Sequence, residues 1–294
     1  MLLSDYLTKS GREESGGLLG AYNQSQSPVL ICSEKRYLPL YKMFAAEFPI
    51  VYIPLDGASL DAAFFDDITC YKGHRFFAPT PDRFLELRGL ICEKSQIAHF
   101  YDYIASSMNV SSEEEIRFSK PMIRDEVKRR TLEKAQAIKL NVKKFVAFFP
   151  EAVTASGLSM TFWKRMVSLF ESNGYDVFVN ETSDTYFEIG GKSYQMDMDE
   201  IYYLSSISQG VFALVNGLVV SFAMMETPRY FVYTDQTPTI GDRMTSTTML
   251  DAYGLSGIPC CNSDRLFEID IRKVNEEDLI SKIVQDYSLQ VEHS

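Results

Sequence analysis

The segment YQMDMDEIYYLSSISQGVFALVNGLVVSFAMMETPRYFVYTD, Tyr194 to Asp235, decides the fold of this chain. Its pattern predicts a helix over Asp199 to Ser208, an apolar strand Val211 to Leu214 and a tight Asn216-Gly217 turn. A second apolar helix is expected over Leu218 to Met225, then Thr227-Pro228, a strand Tyr230 to Tyr233 and the polar loop Thr234 to Pro238. Strand, turn, helix, strand is the unit of a parallel doubly wound sheet, in which ligands sit outside the carboxyl ends of the strands. Backbone N–H groups opening the helix after Gly217 would face that crevice and favour an anion, so the segment points to a phosphorylated ligand.

The same grammar extends to both sides. Phe145 to Phe149 (FVAFF) reads as a central parallel strand, because it is apolar at every position. The loop Pro150 to Ser159 leads to a helix, Met160 to Ser172, that buries Trp163, Met166, Val167 and Phe170 and stops at Asn173-Gly174. A strand follows at Tyr175 to Val179, then a hairpin expected over Thr185 to Gln195 around Gly190-Gly191. The tail adds a strand, Leu266 to Ile271, and a helix capped by Asn275 with Leu279, Ile280, Ile283 and Val284 inward.

Toward the amino terminus, Pro28 to Ser33 reads as a buried strand, Tyr37 to Phe48 as a helix and Ile50 to Ile53 as the next strand. The signal weakens from Phe64 to Gly89 and returns as a helix over Gln96 to Met108. Ser111 to Glu115 is a charged patch that marks a domain edge. A helix from Pro121 to about Leu140 then buries Ile123, Val127, Thr131, Ala135 and Ile138. The expected organisation is a first βα domain over residues 1–110, a helical linker over 111–144 and a second βα domain over 145–294.

Composition narrows the class. With 294 residues, 46% of them hydrophobic, the chain can fill two cores. A formal charge of -11 argues against a general nucleic-acid binder. Cys32, Cys70, Cys92, Cys260 and Cys261 form no CxxC pair and fit reduced thiols in the cytosol. No signal pattern opens the chain, and Val211 to Met225 is too short to span a bilayer, so a soluble cytoplasmic protein is expected. The linker helix carries a basic face of Arg124, Lys128, Arg129, Arg130, Lys134 and Lys139. Such a face is either simply solvated or turned toward an anionic membrane surface, at its inner face, or a phosphorylated acceptor.

Two βα domains with a helical linker and a terminal amphipathic helix resemble a small GT-B glycosyltransferase. The pattern is similar to the bacterial ADP-heptose-dependent glycosyltransferases of lipopolysaccharide assembly, and to capsule and exopolysaccharide glycosyltransferases. The resemblance is carried by FVAFFPEAVTASGLSMTFWKRMVSLFESNGYDVFVN, Phe145 to Asn180, and FALVNGLVVSFAMMETPRYFVYTD, Phe212 to Asp235. It implies an α/β fold of two Rossmann-like domains facing a central cleft. It also implies transfer of a sugar from a nucleotide-activated donor to a glycan or lipid-linked glycan acceptor, with no cofactor and no metal. The chain departs from that family where its donor-binding Asp, His and Lys fall on Val215, Val220 and Ser156.

On this basis the donor-side candidates are Thr154, Ser156 and Gly157 in one loop, Asn216 and Gly217 in the next, and Asp235 and Gln236 in the third. An acceptor hydroxyl needs a base, and the first domain offers Glu13, Glu14 and Asp56. His74, His99 and His293 are scattered and suggest no metal cluster. A catalytically silent GT-B protein that binds a sugar nucleotide or a partner enzyme is the competing reading, and a UDP-sugar epimerase a more distant one.

Overall fold

A computed structural model describes residues 30–32, 38–44, 50–52, 68–71, 74–77, 121–152, 157–180, 189–236, 244–258 and 261–291. The chain divides into two compact units, Met1–Met122 and Ile123–Ser294.

In the first unit, β1 (Leu30–Cys32) and β2 (Ile50–Tyr52) pair in parallel, Leu30 opposite Ile50. The helix α1 (Leu38–Phe44) connects them, as the alternating pattern predicts, and buries Met43 and Phe44. Two short strands fall where the sequence signal was weak. β3 (Ile68–Tyr71) and β4 (His74–Phe77) form an antiparallel pair with Tyr71 opposite His74. The helix expected over Gln96 to Met108 lies outside the described residues.

The second unit opens with α2 (Asp125–Ala137). The sequence places this helix from Pro121, but Arg124 is extended (φ -68, ψ 147) and the helix begins with Asp125 and Glu126, acids favoured in a first turn. Val127, Thr131 and Ala135 are its buried stripe; Ile123 and Ile138 are only half-buried. Five parallel strands follow: β5 (Phe145–Phe149), β6 (Asp176–Val179), β7 (Val211–Leu214), β8 (Arg229–Tyr233) and β9 (Leu266–Asp270). Their order in the sheet is β6-β5-β7-β8-β9. Every residue of β5, β7 and β8 is buried, which is why these strands read as unbroken apolar runs rather than alternating ones.

Helices cover both faces. α3 (Met160–Ser172) and α6 (Glu276–Tyr287) lie on one, where Trp163, Met166, Phe170, Leu279 and Ile283 pack against Val146, Phe148, Phe212, Tyr230 and Val232. Rings on this face stack across neighbouring strands, Phe212 on Tyr230 at 4.8 Å and Tyr230 on Phe267 at 4.5 Å. Each such ring is worth roughly 1.5–3 kcal/mol in burial alone. The other face meets α4 (Met198–Ser206) and α5 (Ser246–Tyr253), with Phe149 and Tyr202 both against Phe222. The sequence reading did not anticipate α5, whose Thr245 cap accepts from Thr248 N at 3.1 Å. Asn275 caps α6 as expected, accepting from Asp278 N at 2.9 Å.

One local expectation is corrected. The helix anticipated over Leu218 to Met225 is a four-residue 3-10 turn, Val219–Phe222. Adjacent β-branched Val219 and Val220 are poor α-helix formers. Buried Arg229 also donates to the carbonyls of Phe222 and Ala223 at 2.8 and 2.6 Å, taking acceptors that a longer helix would use. Of the hairpin expected over Thr185 to Gln195, residues 185–188 lie outside the described residues. Beyond Gly190-Gly191, Lys192 forms a parallel bridge to Phe178 at the sheet edge. Gly191 (φ +86) allows the approach, because a Cβ there would lie 2.8 Å from Val179 Cγ2.

Candidate functional site

The chain leaves β5 for β6 on one side and returns to β7 on the other, so the connection reverses between β5 and β7. In an open parallel sheet, that reversal is where a ligand crevice opens at the strands' carboxyl ends. The loops here are 150–159 and 215–218, and Asn216 ties them, its Nδ2 donating to the Glu151 carbonyl at 2.9 Å. Gly157 and Gly217 are exposed and Asn216 is half-buried, so three donor-side candidates stand at this point. Thr154 and Ser156 lie outside the described residues, as do Glu13, Glu14 and Asp56.

Asp235 and Gln236 follow the next strand, β8, and both are engaged within the chain. Asp235 accepts from Ser246 N at 3.0 Å and from Arg272 in a two-pronged pair at 2.9 and 2.8 Å. That pair raises the Arg272 guanidinium above its ordinary range. Gln236 exchanges both backbone hydrogen bonds with Met244, each at 2.9 Å.

The helix amino ends along this edge, expected to await an anion, are met by the chain's own groups. Asn216 Oδ1 accepts from Leu218 N at 2.9 Å and Val219 N at 3.3 Å. At α3, Ser159 N and Ser159 Oγ each donate to the Glu276 carboxylate at 2.7 Å, and Glu277 pairs with Arg165 at 2.9 Å. At α5, Thr247 donates to Asp270 at 2.5 Å and Ser246 Oγ to the same carboxylate. Burial alone would raise the Asp270 carboxyl, but those hydroxyls, the Arg272 amide and Lys273 hold it below the usual carboxylate range. A carboxylate at a helix amino end is stabilised by the helix dipole, as a ligand phosphate would be.

Among the described residues, buried Ser205 Oγ and Arg229 Nε lack a hydrogen-bond partner, and so do Trp163 Nε1, on the α3–α6 face, and Thr234 Oγ1, just past β8. Trp163 and Thr234 are 1% and 3% exposed. Sequence reasoning placed Trp163 in the core on its helical spacing, and no local signal marks Thr234. Nor does one mark Glu276 or Arg272, which reach their partners across 117 and 37 positions of chain.

The basic face of α2 is also largely spent internally. Arg130 and Lys134 reach the wholly buried Glu200 at 2.5 and 2.7 Å, and Lys128 and Arg129 pair with Asp125 and Glu133 at 2.8 and 2.7 Å. Burial would raise the Glu200 carboxyl, but Lys134, the Asp197 amide and Arg130 bring it below its ordinary value. Burial raises the neighbouring Asp199 carboxyl. Among the described residues there is no cluster of three or more metal-ligating side chains and no helix long and apolar enough to cross a membrane.

No family model matches the chain, and no curated protein is similar to it in sequence. Solved structures are similar in fold. The ADP-heptose lipopolysaccharide heptosyltransferase II of E. coli matches with a TM-score of 0.55 at 12% identity, over 98% of this chain and 96% of that one. The E. coli heptosyltransferase WaaC, solved with ADP-2-deoxy-2-fluoro heptose, has a TM-score of 0.39 at 10% identity over 90% of this chain and 74% of that one. The chain therefore has an α/β fold of the GT-B type, similar to that of heptosyltransferase II over nearly its full length.

Proposed function

We propose that this chain is a GT-B glycosyltransferase that moves a sugar from a nucleotide-activated donor to a bacterial surface glycan, of the lipopolysaccharide, capsule or exopolysaccharide type. The observation that carries the reading is the strand reversal between β5 and β7, with Gly157, Asn216 and Gly217 at its mouth, in a chain whose fold is similar to heptosyltransferase II. In this reading the second unit holds the nucleotide and the first presents the acceptor, with Glu13, Glu14 or Asp56 taking the proton of the attacking hydroxyl. Departure of the diphosphate is eased by backbone donors without a metal ion. Thr154, Ser156, Asp235 and Gln236 complete the donor side.

The acceptor, if lipid-linked, brings the protein to the inner face of the membrane. Exposed Arg124 and Arg129 with half-buried Lys128, at the start of α2, supply the surface for that contact, since solvent-exposed ion pairs exchange partners at little cost. Incubation with a panel of sugar nucleotides and cell-envelope extract tests the transferase. Release of free nucleotide diphosphate that depends on the extract is the expected result, and no release with any donor refutes it.

A second reading has a specific observation behind it. Asp235, Asp270 and Glu276 already occupy the donors along the carboxyl edge, and Val215 and Val220 stand where the resembling family carries its Asp and His. A catalytically silent protein that binds the sugar nucleotide would do so with no diphosphate released.

A further inference from the structure

We infer that Arg272 is the side chain that takes the diphosphate of a bound nucleotide, giving up the Asp235 carboxylate in exchange for it. The inference rests on the nucleotide-binding reading above. A diphosphate held outside the carboxyl ends of the strands needs positive charge there. The loops beside the β5–β7 reversal supply none: residues 150–159 and 215–218 contain no Lys or Arg. Lys192, the single cation between β6 and α4, turns to Asp176 at the amino end of β6. Positive charge follows β8 and β9 instead, as Arg243, outside the described residues, and as Arg272 and Lys273 just past β9. β9 is two strands from β7, about 10 Å across the sheet, a gap that an arginine side chain and a nucleotide close together.

The local build favours exchange at Arg272. Its backbone is fixed, because buried Asp270 accepts from Arg272 N at 3.0 Å and the Asp270 carbonyl takes Lys273 N and Val274 N at 2.9 and 3.1 Å. Its side chain is 53% exposed, and Nε and one terminal nitrogen donate to the two Asp235 oxygens at 2.9 and 2.8 Å. That planar fork fits two phosphate oxygens as well as it fits a carboxylate, which a lysine cannot match. An ion pair open to solvent on one side changes partner at little cost. Asp235 keeps a second donor, Ser246 N at 3.0 Å, so it stays on the start of α5 when Arg272 leaves. Exposed Lys273, 3.5 Å from Asp270, adds a second, looser charge on the same turn.

The wild-type chain, Arg272→Gln and Asp235→Asn are titrated with ADP and UDP by calorimetry, with pyrophosphate as a base-free probe and adenosine and uridine as phosphate-free ones. Urea unfolding of each variant confirms that the second unit is folded. The wild type is expected to bind at least one of the two nucleotides. Arg272→Gln should weaken that nucleotide about 10-fold or more, the loss of a charge-assisted hydrogen bond, and weaken pyrophosphate alike. The nucleosides, without a diphosphate, should not distinguish it from the wild type. Asp235→Asn keeps an acceptor for Ser246 N but removes the competing charge, and should bind the nucleotide up to about 5-fold tighter. A purely structural ion pair predicts no such gain. An Arg272→Gln variant that binds as the wild type does, or an Asp235→Asn variant that binds no tighter, overturns the exchange while nucleotide binding stands. Failure of the wild type to bind either nucleotide overturns the underlying functional reading, and the exchange with it.

Discussion

Replacing Glu200 by Gln tests the electrostatic joint between α2 and α4. The carboxylate has no exposed surface, and it meets Arg130 at 2.5 Å, Lys134 at 2.7 Å and the Asp197 amide at 2.6 Å. Glutamine keeps the shape and an acceptor for the amide but removes the countercharge of two cations. Breaking a buried ion pair by removing one partner costs about 3–5 kcal/mol. Arg130 and Lys134 retain 38% and 24% exposure, so water recovers part of that loss. A net loss of about 2 kcal/mol is expected, or a fall of about 4–8 °C in the thermal midpoint of the second unit. The pH dependence carries a definite sign. Glu200 titrates below its ordinary value in the folded protein, so its contribution is complete above the unfolded value of about 4.3 and is lost as pH falls through the folded one. Asp199 is raised by burial and in part by the Glu200 charge that the substitution removes, so its titration also contributes to the difference at acid pH. Urea unfolding at a series of pH values measures the gap between wild type and variant. The gap should be full at pH 7 and shrink below about pH 4. A gap that stays constant down to pH 3, or none at neutral pH, refutes the assignment.

Three further outcomes are expected. Gly217→Val should leave stability within about 0.5 kcal/mol, since an added Cβ meets nothing within 4 Å, while nucleotide affinity measured by calorimetry falls. Equal affinity in the folded variant removes this turn from the site. Gly210→Ala would put a Cβ 1.8 Å from the Tyr287 hydroxyl, forcing that ring off the Gln209 carbonyl, and should cost about 1–3 kcal/mol in a denaturant titration; a neutral result means that α6 shifts freely. Sedimentation with acidic vesicles at low salt should carry the wild type down and a charge-reversed Arg124, Lys128 and Arg129 triple variant much less, each residue being worth about 1 kcal/mol at such a surface. Equal sedimentation leaves α2 as a solvated face.

The parts of the fold legible in sequence are those whose cause is local. FVAFF announces a central strand because both of its faces are buried, and Met160 to Ser172 announces a helix because Trp163, Met166, Val167 and Phe170 recur on one side. The Leu218 to Met225 stretch misleads for a distant reason: its helix is cut short by Arg229, whose side chain arrives from the following strand to take two carbonyls. α5 is not foreseen because its opening Ser-Thr-Thr has no apolar period, and Asp235 and Asp270, which hold that opening, come from the loop after β8 and the end of β9. The same limit applies to the site. Local turn chemistry marks Asn216 and Gly217 as donor-side candidates, but nothing near Glu276 foretells that it will reach Ser159. The basic stripe of α2 looked available because Glu200, which consumes Arg130 and Lys134, is distant in sequence.

The position of α6 has a consequence for the order in which the second unit is assembled during synthesis. α6 follows every strand that it covers, and until it emerges α3 alone, through Phe170 on Phe212, covers that face and leaves the Tyr230 and Phe267 rings without the part of the lid that α6 brings. The opening of α3 is equally unfinished, because its Glu276 partner has yet to be made. A nascent chain lacking this helix therefore presents a parallel sheet with an aromatic surface to solvent, the kind of intermediate that aggregates or engages chaperones. Docking of Leu279 and Ile283 closes that window, so the commitment to the native unit waits on its last helix.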